Sequence, residues 1–313
     1  MAVYVVGDFL RETRLRKGYT QEEVSYGICT TASLSRIENG AQKPGRLILE
    51  KLFERLGTEN NLFNSFVSKE EMELYLEIQT LIRNVTDGDL QRIEEQIDIV
   101  DKLTKNTSEL ERQSLFWAKG TLAAQKYGNN EKAIEWLMRA IQITLPDFDG
   151  KNPLRNHLLT FDEITIINSI AVRHGEKGDL LTAIQLDMWL KEYMENKIVD
   201  GKMKTAKYPM ILYNLSYWLG DENCHNEALK MAEQGVDYCV KYGNLPALPT
   251  LIFNKGAALA ELGRSDEAKK CFFQSITIFE AMKKPAQVQI AIDWCREHYQ
   301  MEIQYPPSIG PNA

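Results

Sequence analysis

The stretch Thr20-Gln21-Glu22-Glu23-Val24, with Ser35-Arg36-Ile37-Glu38-Asn39-Gly40 a fixed distance behind it, decides the fold of the first 57 residues. Thr20 is a good N-cap, and Glu23, three residues on, is its capping-box partner. A helix therefore starts at Gln21 and runs to about Ile28, with Gln21 and Glu22 exposed on its first turn and Val24 and Ile28 on the buried face. Thr30 or Thr31 can cap a second helix running through Glu38. Leu34 and Ile37 point inward there, and Asn39-Gly40 ends it. Working outward, Gly7 to Lys17 reads as a helix with Phe9, Leu10 and Leu15 inward, and Arg46 to Leu56 as one with Leu49, Leu52, Phe53 and Leu56 inward.

The second helix leaves Thr31, Ser33, Ser35 and Arg36 facing outward. Small hydroxyls allow close approach to a major groove, and an arginine can reach a guanine edge or a phosphate. Arg11, Arg14, Arg16, Lys17, Arg36, Lys43 and Arg46 cluster near the same face. With these residues, the segment from about 4 to 57 resembles the Cro/repressor-type helix-turn-helix family. The net charge of -7 does not oppose DNA binding once it is divided along the chain. Residues 1–66 hold nine Lys/Arg against eight Asp/Glu, so the acidity lies in the remainder. A head of balance +1 contacts few phosphates, which points to a homodimer on a double-stranded operator with two half-sites about one helical turn apart.

A chain of 313 residues requires a sizeable second domain beyond that head. No apolar run approaches the ~18 residues that span a bilayer, and the start Met1-Ala2-Val3-Tyr4 has no secretory pattern, so a cytoplasmic protein is expected. The five cysteines form no C-x-x-C pair and read as reduced and mostly buried. The four histidines make no metal spacing, Cys224-His225 included. With no G-x-S-x-G, no phosphate-binding loop and no plausible Cys/His pair, no catalytic residue, metal or cofactor is implied.

Past Gly57 the periodicity is helical throughout, and four windows share one pattern: a helix, a polar turn, then a second helix whose small residue packs on the first. They run from Trp117 to Ala133, Ile167 to Ala183, Tyr213 to Ala228 and Phe253 to Ala268. The alanines are 50, 45 and 40 residues apart. In the last window Gly256 and Ala268 are followed by Phe272 and Ser275. These windows look like tetratricopeptide repeats, with a degenerate fifth around Thr86-Asp87-Gly88-Asp89. Such stacks form a right-handed superhelix whose concave face suits an extended peptide. Asn168, Asn214 and Asn254 lie fifteen, fourteen and fourteen residues ahead of their alanines, and an asparagine can pair with a peptide backbone in two-point fashion. They can equally be surface or capping residues. Tyr213, Phe253 and Trp218 read as core, whereas Tyr217, one turn from Tyr213, falls on the groove side.

The two halves together, an all-α chain over nearly its whole length, resemble the peptide-pheromone receptors of Gram-positive bacteria, the Rgg-Rap-NprR-PlcR-PrgX (RRNPP) group. The resemblance implies a cytosolic, dimeric transcription factor that senses a short imported peptide. By motif position it makes Gln21, Ser33 and Arg36 DNA contacts, with Thr31 and Lys43 beside them, and Asn168, Asn214 and Asn254 peptide contacts, with Tyr217 alongside. The expected domains are 1–66 for DNA, 67–303 for peptide sensing and dimerisation, and 304–313 as a tail too rich in Pro and Gly for helix. Peptide binding would change the stacking of the array, and the segment from Leu62 to Arg83 would pass the change to the heads. The rival readings are a repressor or scaffold whose repeats bind a protein partner or only oligomerise.

Overall fold

The computed structural model describes residues 2–58, 69–105, 107, 109–152, 157–197, 199 and 201–301. Among them the chain forms fifteen α-helices, one short 3-10 helix and no strand. It divides into two compact units, Met1–Met203 and Lys204–Ala313. The expected head–array boundary at 66/67, part of the Leu62 to Arg83 segment and the tail from 304 lie outside the described residues.

The first unit opens with α1 (Ala2–Arg16), α2 (Gln21–Ser25), α3 (Thr31–Glu38) and α4 (Arg46–Arg55). The capping box forms as expected: Glu23 N donates to Thr20 Oγ1 at 3.1 Å, and Thr20 N to Glu23 Oε2 at 2.7 Å. Thr30 rather than Thr31 caps α3, accepting from Ser33 N at 3.1 Å. α2 stops at Ser25 instead of Ile28 because the chain turns at Gly27, where φ is +67°. Ile28 still enters the core with Leu10, Val24, Leu34, Ile37, Leu49, Leu52, Phe53 and Leu56. Leu15 does not; it is 58% exposed. Five residues of α-helix turn it about 140° away from Leu10.

The same unit continues through α5 (Lys69–Asp87), α6 (Leu90–Leu103), the 3-10 turn Glu109–Arg112, α7 (Gln113–Gln125), α8 (Asn130–Gln142), α9 (Phe161–Glu176) and α10 (Leu180–Asn196). The polar turns start the second helix of each pair: Asp89, Asn129 and Asp179 accept from the backbone of Arg92, Lys132 and Thr182. The second unit comprises α11 (Gly201–Asp221, whose first residues precede the boundary), α12 (His225–Tyr242), α13 (Leu248–Glu261), α14 (Ser265–Ala281) and α15 (Pro285–Tyr299).

Small residues hold the pairs together. Ala133, Ala183, Ala228 and Ala268 are all at most 1% exposed. A Cβ on Gly256 would lie 2.8 Å from Phe272 Cε1, and one on Gly120 2.9 Å from Leu137 Cγ, so α13–α14 and α7–α8 pack closer than a side chain permits.

Candidate nucleic-acid interface and ligand cavity

α3 presents an open face. Thr31, Ala32 and Arg36 are exposed and Ser33 and Ser35 half-buried, while Leu34 and Ile37 anchor the opposite side. Arg36 is poised rather than spent: Nε donates to Gln42 Oε1 at 3.1 Å and Nη2 to Ser33 Oγ at 3.3 Å, both exposed contacts that a base or phosphate can replace. Lys43 is exposed in the following loop. Gln21 is half-buried and donates Nε2 to Glu38 Oε2 at 2.8 Å, which keeps its Oε1 as an acceptor.

The expected basic cluster is smaller than the sequence suggests. Arg14 is buried and clamps Glu38 with Nε at 2.7 Å and Nη2 at 2.8 Å, and that bonding raises its pKa. Lys17 donates to the carbonyls of Leu56 and Gly57. Arg46 is tied to Glu50, Tyr75 and, through its backbone N, Glu71. Arg11, Arg16, Arg36 and Lys43 remain exposed.

The head is seated on the helices that follow it within the first unit. Its core takes in Leu110, Leu158 and Ile143. A Cβ on Gly27 would lie 2.0 Å from Thr144 O, so backbone meets backbone there. From α4, Lys51 Nζ reaches Asp162 Oδ2 and Gln113 Oε1, each at 2.7 Å. Arg55 Nη2 reaches Glu163 Oε1 at 2.7 Å, with both side chains at most 1% exposed. Glu163 also caps α9 through Thr160. Glu54 Oε2 accepts from Phe161 N at 3.1 Å. Glu54 is half-buried as a residue, but its carboxyl end is enclosed. Burial first, and Asp162 second, push it up to about 8, with Lys51 pulling the other way. Burial lowers the Lys51 ammonium, but Asp162 and Glu54 outweigh it and leave the pKa raised.

In the second unit α11, α13 and α15 line a cavity of about 880 Å³, within the range of about 300–1,000 Å³ common for ligand pockets. Tyr217, 51% exposed, and Asn254 line it, as do Tyr213, Phe253 and Trp294. Asn254 Nδ2 donates to Tyr213 O at 3.3 Å and Ser216 Oγ at 2.8 Å, joining α13 to α11 and leaving Oδ1 as an acceptor. Asn168 and Asn214 are 9% and 8% exposed, pack within α9 and α11, and do not line the cavity. Trp218 is core. The contribution of α15 is absent from the repeat pattern. Its one signal in the sequence is the aromatic run Trp294, His298 and Tyr299, in which Trp294 lies edge-on to Phe253 at 5.2 Å. Among the described residues no group of three or more His, Cys, Asp or Glu is placed to hold a metal, and no helix is long and apolar enough to cross a membrane.

Residues 85–299 match the model of the RNPP family C-terminal domain, and residues 5–66 match that of a helix-turn-helix domain. The uncharacterized HTH-type transcriptional regulator YqaF of Bacillus subtilis strain 168 is 38% identical over 63 residues, which is 20% of this chain and 83% of that protein. The crystal structure of Bacillus thuringiensis PlcR with the peptide PapR7 and DNA is similar at a TM-score of 0.61 and 18% identity, covering 92% of this chain and 99% of that one. Its apo form gives 0.57 at 17%, covering 93% and 98%. At such identities the likeness speaks for the fold.

Proposed function

The chain belongs to the RNPP family, and from that premise we propose that it is a transcriptional regulator whose binding to an operator is set by a short signalling peptide held in the cavity of its last repeats. The observation that carries the reading is the pairing of an open, hydroxyl-rich α3 face bearing Arg36 with a large aromatic cavity elsewhere in the same chain. PlcR, which shares the fold, has been captured with both a peptide and DNA.

Residues 1–66 form the DNA-binding head and 67–303 the peptide-sensing and dimerising array. Arg36 reads a base or phosphate, Thr31 and Ser33 approach the groove, and Gln21 and Lys43 flank them. Four exposed cations per head make one copy a weak binder, so the protein acts as a homodimer on two half-sites. On the peptide side, Tyr217 supplies exposed ring surface and Asn254 Oδ1 accepts from a peptide N–H. Asn168 and Asn214, expected as peptide contacts, instead support their helices from within the packing.

An operator selected from random duplex DNA and titrated by fluorescence anisotropy tests the reading. Arg36→Ala should weaken specific binding about tenfold or more, the value of one good base contact, while the melting temperature and peptide affinity stay unchanged. Unchanged operator affinity would remove α3 from the interface.

A further inference from the structure

Asp221 is the last residue of α11 and Glu261 the last of α13, and both line the cavity. A carboxylate in that position faces the negative end of its helix dipole and the helix's own unpaired carbonyls, which is unfavourable unless a cation is near. α9 also ends on an acid, Glu176, but Arg173 pairs with it at 2.8 Å. Among the described residues neither Asp221 nor Glu261 has a lysine, arginine or histidine at ion-pair distance. Glu261 accepts from the Tyr299 hydroxyl at 3.0 Å. Asp221 is bonded to the Tyr217 hydroxyl, which opposes the shift, but burial and the neighbouring Glu222 hold its carboxyl above the ordinary value. The basic side chains that line the cavity come from other elements: Lys284 before α15, His298 stacked on Trp294 at 4.4 Å, and His225 at the start of α12. The same walls leave Tyr217 51% and Ile290 66% exposed, large side chains open to an occupant.

We propose that the occupant is a short peptide with a free α-amino group at one end, held by Asp221 and Glu261, and with an aromatic or branched aliphatic side chain against Tyr217, Phe253 and Trp294. The inference rests on the reading of the cavity as a peptide site and adds its chemistry and polarity. Charge complementarity carries it. A protonated amine supplies the counter-charge that both carboxylates lack, and its three donors can also reach the terminal carbonyls of α11 and α13. The excess of acidic residues beyond residue 66 attracts the same sign of ligand.

The test uses the full-length protein and a positional-scanning library of heptapeptides without lysine or arginine, each made with a free and with an acetylated N-terminus and titrated by fluorescence anisotropy. The free-amine series should bind about tenfold or more tighter, the value of a hydrogen bond to a charged group. Asp221→Asn with Glu261→Gln should erase that difference while the acetylated series still binds. Both substitutions remove negative charge from a helix C-terminus, so the melting temperature should not fall. Equal binding of the two series to the parent protein, or a preference that survives the double substitution, would overturn the inference and leave the peptide-receptor reading intact. Failure of both series, with Tyr217→Ala indistinguishable from the parent, would overturn that reading and the inference together.

Discussion

At Glu54 a single carboxyl makes the seating of the head sensitive to pH. Folded, it titrates near about 8 because burial and Asp162 disfavour its charge, whereas unfolded it behaves as an ordinary glutamate with a value of 4.5. Between those values the native state binds the extra proton, so stability is fullest below the unfolded pKa and is lost as pH rises through the folded one. His157, lowered by burial against the Tyr26 ring, acts in the opposite sense but only below its unfolded value of 6.5. The clean window is therefore roughly pH 7 to 8, from where His157 is largely neutral in both states to below where the thiols of Cys29, Cys239, Cys271 and Cys295, raised by burial in the folded chain, begin to ionise in the unfolded one. Urea unfolding across it should show stability falling with a slope of up to about 1.4 kcal/mol per pH unit. Glu54→Gln should flatten that slope, and an unchanged slope would place the proton elsewhere. None of this was legible locally. The pattern Leu49, Leu52, Phe53, Leu56 reads Lys51, Glu54 and Arg55 as the solvent side of α4, and the residues that enclose Lys51 and Arg55 lie 111 and 108 positions further along.

Elements whose signals are confined to a few neighbouring residues were readable. α2 and α3 carry their caps and inward residues within one or two turns, and the helix pairs carry an alanine and a polar turn at each joint. Rotation about a helix axis was not readable at the same precision. Asn214 and Asn254 share an offset of fourteen from their alanines, yet the first faces the packing and the second the cavity, so the offset alone does not fix which side of the helix a residue takes. The joint between α9 and α10 shows how much one turn residue does. Asp179 Oδ1 accepts from Thr182 N at 3.3 Å to cap α10, while Oδ2 meets His174 Nδ1 at 3.0 Å on the last turn of α9. Although burial opposes it, the bonds to Thr182 and His174 lower the Asp179 carboxyl. Asp179→Ala should cost about 1 kcal/mol in chemical denaturation, the usual worth of an N-cap, and Asp179→Asn less. Equal losses for the two variants would assign the effect to the lost charge rather than to the cap.

At the scale of the whole molecule the question is how occupancy of a cavity in the second unit is felt at α3 in the first. Whatever happens in the array, its last step to DNA must pass the seat of the head, where α4 holds the N-terminal turn of α9 through Lys51–Asp162 and Arg55–Glu163. A head tethered only by chain would not report the state of the array, because no difference in free energy would reach it. The side chains of that seat are separable from the head's own core of Leu10, Val24, Leu34 and Leu52. Lys51→Ala with Arg55→Ala leaves Glu54, Asp162 and Glu163 without the two cations that hold them, an arrangement expected to cost about 3–5 kcal/mol at the fully buried Arg55–Glu163 pair and less at Lys51–Asp162, where Asp162 is 30% exposed. The head should then detach while still folding, as its amide NMR spectrum would report. Operator and peptide should each bind this variant, but the peptide should no longer change operator affinity. A coupling of about 1–3 kcal/mol, or about 5- to 150-fold, should shrink to less than about twofold. Because coupling is reciprocal, saturating operator should equally cease to alter peptide affinity, so anisotropy titrations of either ligand measure the same quantity. Full coupling in a variant with a detached head would show that the signal reaches α3 by a route other than α4 and α9.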